Sequence, residues 1–269
     1  MPRRMLKAAL AALALSLSLP GGLHAAQCGD TSAGFAQWKR DFAAEAAAAG
    51  IGQRGLAALA GTDYATRTIN ADRNQRSFRL SLDEFMQKRG ANVIVSQGRS
   101  RKQQSPEFYA ALERIYGVPS GVLIAIHGME TGFGRFMGDA NVLSAVATLA
   151  YDCRRPDFFT PHLIGALKMI DQGWISPGTV GAMHGELGHT QFLPGNALRY
   201  GIDGNGDGRV DFYNQSDALA STAHYLRQKG WQPGKGYQPG QPNYRVLKEW
   251  NAATVYQQSL AIMGAQIDR

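Results

Sequence analysis

The sequence has 269 residues, with 28 lysines and arginines against 21 acidic residues and a formal net charge of +7. Arg3, Arg4 and Lys7 supply three of these charges, so the chain after residue 26 carries +4, which suits an anionic polymer. No Lys/Arg tract contains interleaved aromatic residues, so nucleic acid is not an expected partner.

Residues 1–26 have the pattern of a secretory signal peptide. A basic start precedes an apolar run over residues 8–19, and two alanines end the segment at Ala26. The run is too short to cross a bilayer, and no later run is long and apolar enough. We therefore expect a periplasmic protein without a membrane span.

The chain contains two cysteines, Cys28 and Cys153. In an oxidising compartment an even pair is most simply a disulfide. It would close a loop of more than 100 residues, worth roughly 4–5 kcal/mol in the chain-entropy view. The alternative is a lipid anchor on Cys28, but lipoprotein processing prefers a small residue where this chain has Gln27.

Helical periodicity recurs along the chain, and strand signals are sparse. Predicted helices cover residues 35–50, 53–60, 81–88, 105–116, 119–131, 141–151, 161–171, 217–229 and 244–267. Residues 98–104 are predicted as a basic surface connection or an extension of the preceding helix. The best strand signals lie near Ile94 and Val210. The pattern predicts a mainly α fold with little β structure and long functional loops.

The most informative predicted helix ends at Glu130. Val122, Ile126 and Glu130 are spaced i, i+4 and i+8, so the carboxyl group continues an apolar stripe that should face the interior. Loss of solvation there raises the pKa of a carboxyl group, which is what a general acid needs. The alternative is a helix-end glutamate that points to solvent or pairs with Arg135.

Residues 203–211 resemble the first half of an EF-hand loop. Oxygen side chains occupy positions 1, 3 and 5, and Gly208 at position 6 permits the sharp bend. Position 12 is Asn214 instead of the usual glutamate, and a later aspartate is expected to close the site. The expected Ca²⁺ ligands are Asp203, Asn205, Asp207, the backbone carbonyl of Arg209, and Asp217. The alternative is a Gly/Asp-rich turn without metal; any calcium would be structural, not catalytic.

Residues 185–194, GELGHTQFLP, predict only an ordered loop, in which Glu186 and His189 are ordinary polar residues. His127 and His184 lie elsewhere in the chain, and their spacing with His189 fits no zinc pattern. The sequence leaves the roles of Glu186, His184 and His189 open.

Several segments together resemble the lytic murein transglycosylase B family, whose members cleave peptidoglycan glycan strands. They are DRNQRSF (72–78), IHGMETGFG (126–134), ATLAYDCRR (147–155), GELGHTQFLP (185–194), DGNGDGRVD (203–211) and EWNAATVY (249–256). The resemblance implies a lysozyme-like, mostly helical fold. The expected parts are a signal peptide (1–26), an N-terminal helical subdomain (27–104), a catalytic core (105–200), an EF-hand-like loop (201–217) and C-terminal helices completing core and cleft (218–269).

The resemblance also implies roles for individual residues. Glu130 matches the single catalytic acid/base of the family. Asp217, which follows the EF-hand-like loop, matches the family's pattern of calcium ligands. The expected substrate-binding residues are Phe133, Gln191, Tyr225, Trp250, Asn251 and Tyr256, although core packing is the alternative for the aromatic ones. We expect a monomer that acts on glycan strands. Departures from the family pattern at His127, Met129, Ala182 and His184 leave subsite specificity open.

The expected reaction uses one carboxyl group and forms a 1,6-anhydro-N-acetylmuramic acid end, whereas ordinary glycosidases use two carboxyl groups. Two alternatives remain at this point. One is a hydrolytic muramidase that uses Glu130 and Glu186 with water. The other is a non-catalytic, calcium-dependent wall-binding protein.

Overall fold

A computed structural model describes residues 26–74 and 80–269. Within them the chain is mainly helical, with long loops between several of the helices. The helices are α1 (Phe35–Ala48), α2 (Gln53–Ala60), α3 (Thr66–Arg73), α4 (Leu82–Lys88), α5 (Ala91–Gln104), α6 (Pro106–Tyr116), α7 (Ser120–Thr131), α8 (Val142–Tyr151), α9 (Pro156–Gln172), α10 (Pro194–Tyr200), α11 (Gln215–Gln228), α12 (Tyr244–Trp250) and α13 (Thr254–Asp268). None of these helices has the length and apolar character needed to cross a bilayer. The signal segment 1–25 and residues 75–79 lie outside the described residues.

Two short strands, β1 (Ala140–Asn141) and β2 (Val180–Gly181), pair antiparallel, with Ala140 opposite Gly181. The strand predictions near Ile94 and Val210 were wrong. Ile94 is buried on α5, and Val210 lies in a loop. Ile94 lies in the short β-branched run Val93–Val95, a signal that periodicity alone does not assign to helix or strand, whereas Val210 is a single β-branched residue between Arg209 and Asp211.

Local sequence explains several helix boundaries. Ser81 and Glu84 form the predicted capping box at the start of α4. Gly132 adopts φ +56° and ends α7 with backbone hydrogen bonds to Gly128 and His127. The prediction that a helix starts at Pro161 was wrong, because α9 begins at Pro156 and Pro161 lies within its second turn.

One apolar core surrounds α7, which is buried at every position from Ser120 to Met129. Helix α13 packs along both α7 and α5, while α6 and α11 also contact α7. Residues that are far apart in the chain therefore meet around the end of α7. The predicted division into 27–104, 105–200 and 218–269 stays a prediction.

A second apolar core joins the N-terminal helices to α8 and α9. Trp38 stacks between Phe35 and Phe42 on α1 and also contacts Tyr151 at the end of α8. A disulfide links Cys28 to Cys153 just beyond α8, which confirms the predicted pairing. The N-terminal part is thus held by packing and by a covalent bond against the α8–α9 pair.

Candidate active site

Glu130 lies in the last turn of α7, at the edge of the apolar core. Val122 and Ile126 on its stripe are fully buried, as the spacing predicts, whereas Glu130 is half-buried and lines a cavity. The helix ends at Thr131, one residue later, so the carboxyl group is held by a rigid element and still reaches open space. Among the described residues Glu130 forms no salt bridge, and Arg135 lies over the Phe136 ring instead.

Two side chains from the C-terminal segment hold one oxygen of this carboxyl group. Trp250 Nε1 donates to Glu130 Oε1 at 3.0 Å, and the Tyr256 hydroxyl donates to the same oxygen. Burial raises the pKa of Glu130, while these two hydrogen bonds and the charge of Arg89 lower it and the charge of Glu186 raises it. The net direction is upward, which favours a protonated acid.

Tyr256 remains a donor because its own ionisation is strongly opposed. Its side chain is buried, and burial followed by the nearby Glu130 carboxyl raises the pKa of Tyr256 well above its usual value. A phenol that keeps its proton can only donate to an ionised Glu130. Tyr256 does not line the cavity but lies beside the acid, and its expected contact with substrate stays a prediction.

The cavity at Glu130 has a volume of about 490 Å³, within the usual range for ligand sites. It brings together five residues that the sequence predicted for the site: Glu130, Gln191, Tyr225, Trp250 and Asn251. Glu186, the second carboxylate of the hydrolytic alternative, lines the same cavity. Its Oε2 accepts a hydrogen bond from the His184 backbone N–H at 3.0 Å.

Edge-to-face aromatic contacts make up one wall of the cavity. Phe192 and Tyr225 each contact Trp250 at ring-centroid distances of 5.3 and 5.6 Å. The Tyr225 hydroxyl donates to the backbone carbonyl of Glu249 at 2.6 Å. These contacts fix the indole that donates to Glu130.

Gln191 enters the cavity from a strained turn. It is one of two described non-glycine residues with positive φ, at +57°, and its Nε2 donates to the Gly188 carbonyl at 2.7 Å. A β-bridge between Leu187 and Phe192 closes the turn around it. Such strain persists only where surrounding contacts impose it, and it concentrates at functional sites.

Phe133, the other non-glycine residue with positive φ, does not line the cavity. Its ring is buried, stands edge-on to His127, and is covered by the Arg101 guanidinium at 4.5 Å. The structure therefore gives this ring a packing position, and its expected contact with substrate stays a prediction. His127 Nε2 lies 2.9 Å from His189 Nδ1, and burial lowers the pKa of His127 to about 3, so His127 is neutral.

In the loop predicted to bind calcium, carboxylates accept backbone hydrogen bonds. Asp203 accepts from Gly206 at 2.7 Å, and the fully buried Asp217 accepts from Gly204 at 3.0 Å and Asp211 at 2.8 Å. Within residues 26–74 and 80–269, no three His, Cys, Asp or Glu side chains are grouped as a metal site. The donor types suit Ca²⁺, but their present arrangement does not converge on one point.

Sequence reasoning missed several residues that line the cavity, among them Phe158, His162, Asn196, Lys229 and Glu249. Phe158 and His162 lie one turn apart on α9, a helix whose first turn was not predicted. The available signal was the pair Phe158-Phe159, because consecutive helix residues point about 100° apart, so on a helix with one buried face one of two adjacent aromatic rings can be exposed.

Comparison with known proteins agrees with this geometry. Residues 34–241 match the family described as Transglycosylase SLT domain. The chain is 34% identical over 139 residues to membrane-bound lytic murein transglycosylase B of Escherichia coli K12, a match covering 48% of this chain and 38% of that protein.

Solved structures give a longer match. SltB3 from Pseudomonas aeruginosa, in complexes with NAG-anhNAM-pentapeptide and with NAG-NAM-pentapeptide, superposes with TM-scores of 0.77 and 0.78 at 27% identity, covering 86% of this chain and 78% of that one. The E. coli lytic transglycosylase Slt35 in complex with bulgecin A superposes with a TM-score of 0.75 at 22% identity, covering 90% and 96%. The mainly helical, lytic-transglycosylase-like fold expected from the sequence is confirmed. Since the family match spans most of its length, the chain belongs to the transglycosylase SLT domain family.

Proposed function

We propose that this protein is a peptidoglycan lytic transglycosylase. It cleaves the β-1,4 bond between N-acetylmuramic acid and N-acetylglucosamine and leaves a 1,6-anhydro end. The observation that carries this proposal is the Glu130 carboxyl group, held in a cavity by two donors on one oxygen while burial raises its pKa. The muropeptide ligands bound by SltB3 support the same substrate class.

In the proposed mechanism Glu130 acts twice. Its protonated form donates to the glycosidic oxygen as the bond to the anomeric carbon breaks. The muramic N-acetyl group stabilises the positive anomeric carbon. The Glu130 carboxylate, stabilised by the Trp250 and Tyr256 donors, then removes the proton from the C6 hydroxyl of the same sugar. That oxygen attacks the anomeric carbon, and because the attack is intramolecular no positioned water is needed.

Mass spectrometry of digested, purified sacculi tests the reaction. The wild-type chain should release muropeptides with 1,6-anhydro ends, and Glu130→Gln should release none while keeping its circular dichroism spectrum. Glu186→Gln is the matched control, because this carboxylate lines the same cavity but has no essential step in the one-carboxyl route. Retention of substantial activity by Glu130→Gln would refute the assigned acid.

The same experiment decides the alternatives. Reducing ends in the products, together with loss of activity in Glu186→Gln, would identify a hydrolytic muramidase, for which the position of Glu186 in the cavity is the supporting observation. Binding to sacculi without any released muropeptide would identify a wall-binding protein.

We also propose that the 203–217 loop binds Ca²⁺ as a structural ion. The support is the donor chemistry: Asp203, Asn205, Asp207, the Arg209 carbonyl and Asp217 supply the oxygen types that Ca²⁺ takes. Binding would require the carboxylates to exchange backbone N–H partners for the ion.

A thermal melt of chelator-treated protein tests the ion. Calcium at 100 times its dissociation constant should raise the free energy of unfolding by about 2.7 kcal/mol, and the same concentration of magnesium should raise it by less. Asp207→Asn should remove the gain. Asp139→Asn should keep it, because Asp139 is an exposed acid outside the loop that pairs with Arg67. Equal melting curves with and without calcium would contradict this proposal.

The proposed location is the periplasm, where the protein acts as a monomer. The N-terminal signal pattern and the expected peptidoglycan substrate support the location, and the sulfur of Cys28 is taken up in the disulfide. Fractionation of expressing cells and the mass of the mature protein test the location, while light scattering tests the monomer.

A further inference from the structure

Phe158 is an exposed aromatic residue at the cavity that contains Glu130. It is 50% exposed, and of the five exposed large apolar residues in the described chain, Phe158 alone lines the cavity. It lies in the first turn of α9, whereas Trp250 and Tyr256 come from α12 and α13. A single exposed apolar side chain is common, so the position needs further support.

Three neighbours hold the Phe158 ring in place. Phe159, which is buried, meets it nearly at a right angle with ring centroids 4.9 Å apart. His162 meets it at 5.2 Å, and the Arg155 guanidinium lies 5.6 Å from its centroid. Arg155 is in turn paired with the buried carboxylate of Asp72 on α3. The exposed ring is therefore fixed before any ligand arrives, which lowers the entropy cost of binding.

His162 adds a polar group beside this ring. It is 7% exposed and lines the cavity, while its Nδ1 is buried with no hydrogen-bond partner in the described chain. Burial lowers the pKa of His162, so the ring is neutral and carries one proton. A buried N–H without a partner is rarer than an unpaired acceptor, so we place the proton on Nε2.

We propose that Phe158 and His162 form a sugar subsite on the α9 side of Glu130. The Phe158 ring stacks against the apolar face of a pyranose of the glycan strand, and His162 Nε2 donates to a hydroxyl or acetamido oxygen of that sugar. The subsite rests on the proposed function for its substrate class. It assigns substrate positioning, not acid/base chemistry, to these residues.

Steady-state kinetics on solubilised glycan strands test the subsite. Phe158→Ala should raise KM about tenfold with kcat within about twofold of wild type, because the lost stacking is made equally in the ground and transition states. Phe158→Tyr should restore KM. Phe136→Ala is the matched control: Phe136 is 73% exposed, also lies under an arginine, and does not line the cavity. His162→Ala should raise KM and leave the anhydro product unchanged.

Co-sedimentation of Glu130→Gln with sacculi, with and without Phe158→Ala, separates the subsite from the reaction. Weaker sedimentation of the double variant supports the subsite even if the wild-type chain releases no muropeptide, an outcome that would refute only the proposed function. If Phe158→Ala matches Phe136→Ala in both KM and sedimentation, the subsite is refuted. The proposed function is unaffected by that result as long as the wild-type chain releases muropeptides. A kcat loss without a KM change would also overturn it.

Discussion

Tyr256→Phe removes one of the two donors to Glu130 Oε1 while keeping the buried ring. A hydrogen bond to a charged group contributes about 1.5–3 kcal/mol. Because Trp250 donates to the same oxygen and stays in place, we take the lower end of that range. A loss of about 1.5 kcal/mol in stabilisation of the carboxylate formed during the reaction corresponds to roughly tenfold lower kcat.

The pH dependence gives a second, independent readout. The Tyr256 hydrogen bond lowers the pKa of Glu130, so removing it moves that pKa further upward. The acid must be protonated to donate, so activity falls as pH rises through the pKa of Glu130. The alkaline limb of kcat/KM in Tyr256→Phe should therefore move to higher pH.

Tyr225→Phe is the matched control for this prediction. Tyr225 lines the cavity, but its hydroxyl donates to the Glu249 backbone and not to Glu130. Muropeptide release from sacculi, followed from acid to alkaline pH, should show an unmoved limb for this variant. The reasoning fails if the limb of Tyr256→Phe moves to lower pH, or if its kcat equals that of Tyr225→Phe.

The remaining predictions concern stability. Because the pKa of Glu130 is raised in the folded state, the ionised carboxyl destabilises the fold as pH rises, so Glu130→Gln should melt at or above the wild-type temperature at alkaline pH; a clearly lower melting temperature would contradict this. Reduction of Cys28–Cys153, which closes a 125-residue separation, should cost about 2–5 kcal/mol in denaturant unfolding, whereas the Cys28→Ser variant should not respond to reductant. Leu123→Ala, at a fully buried position, should cost about 2–5 kcal/mol. Asp217→Ala should destabilise even in chelator, since this carboxylate accepts three backbone N–H groups; equal stability in chelator would assign its role to metal alone.

The placement of Glu130 could be predicted because its signals are local. The i, i+4, i+8 spacing from Val122 fixes which face is buried, and Gly132 marks the end of the helix. Trp250 and Tyr256 were expected only through the family resemblance, as substrate-binding residues and not as donors to this carboxyl group. No periodicity in the sequence indicates that an indole and a phenol more than 100 positions later meet one glutamate oxygen.

Other features could not be predicted because tertiary contacts override local preference. Ile94 lies in a short β-branched run, yet packing against α7 and α13 makes this segment a helix. Phe158 and Phe133 illustrate the same limit at the site. The sequence predicted Phe133 as an aromatic residue of the cleft, whereas the position of α9 brings Phe158 to the cavity.

The two hydrogen bonds to Glu130 join positions separated by 120 and 126 residues. Glu130 is therefore synthesised well before Trp250 and Tyr256, the two residues that donate to it. A nascent chain that ends at α11 contains Glu130 without either donor. The proposed acid therefore gains both donors only when α12 and α13 have been synthesised and have packed against α7. In the proposed mechanism, the site stays incomplete until the last two helices are in place.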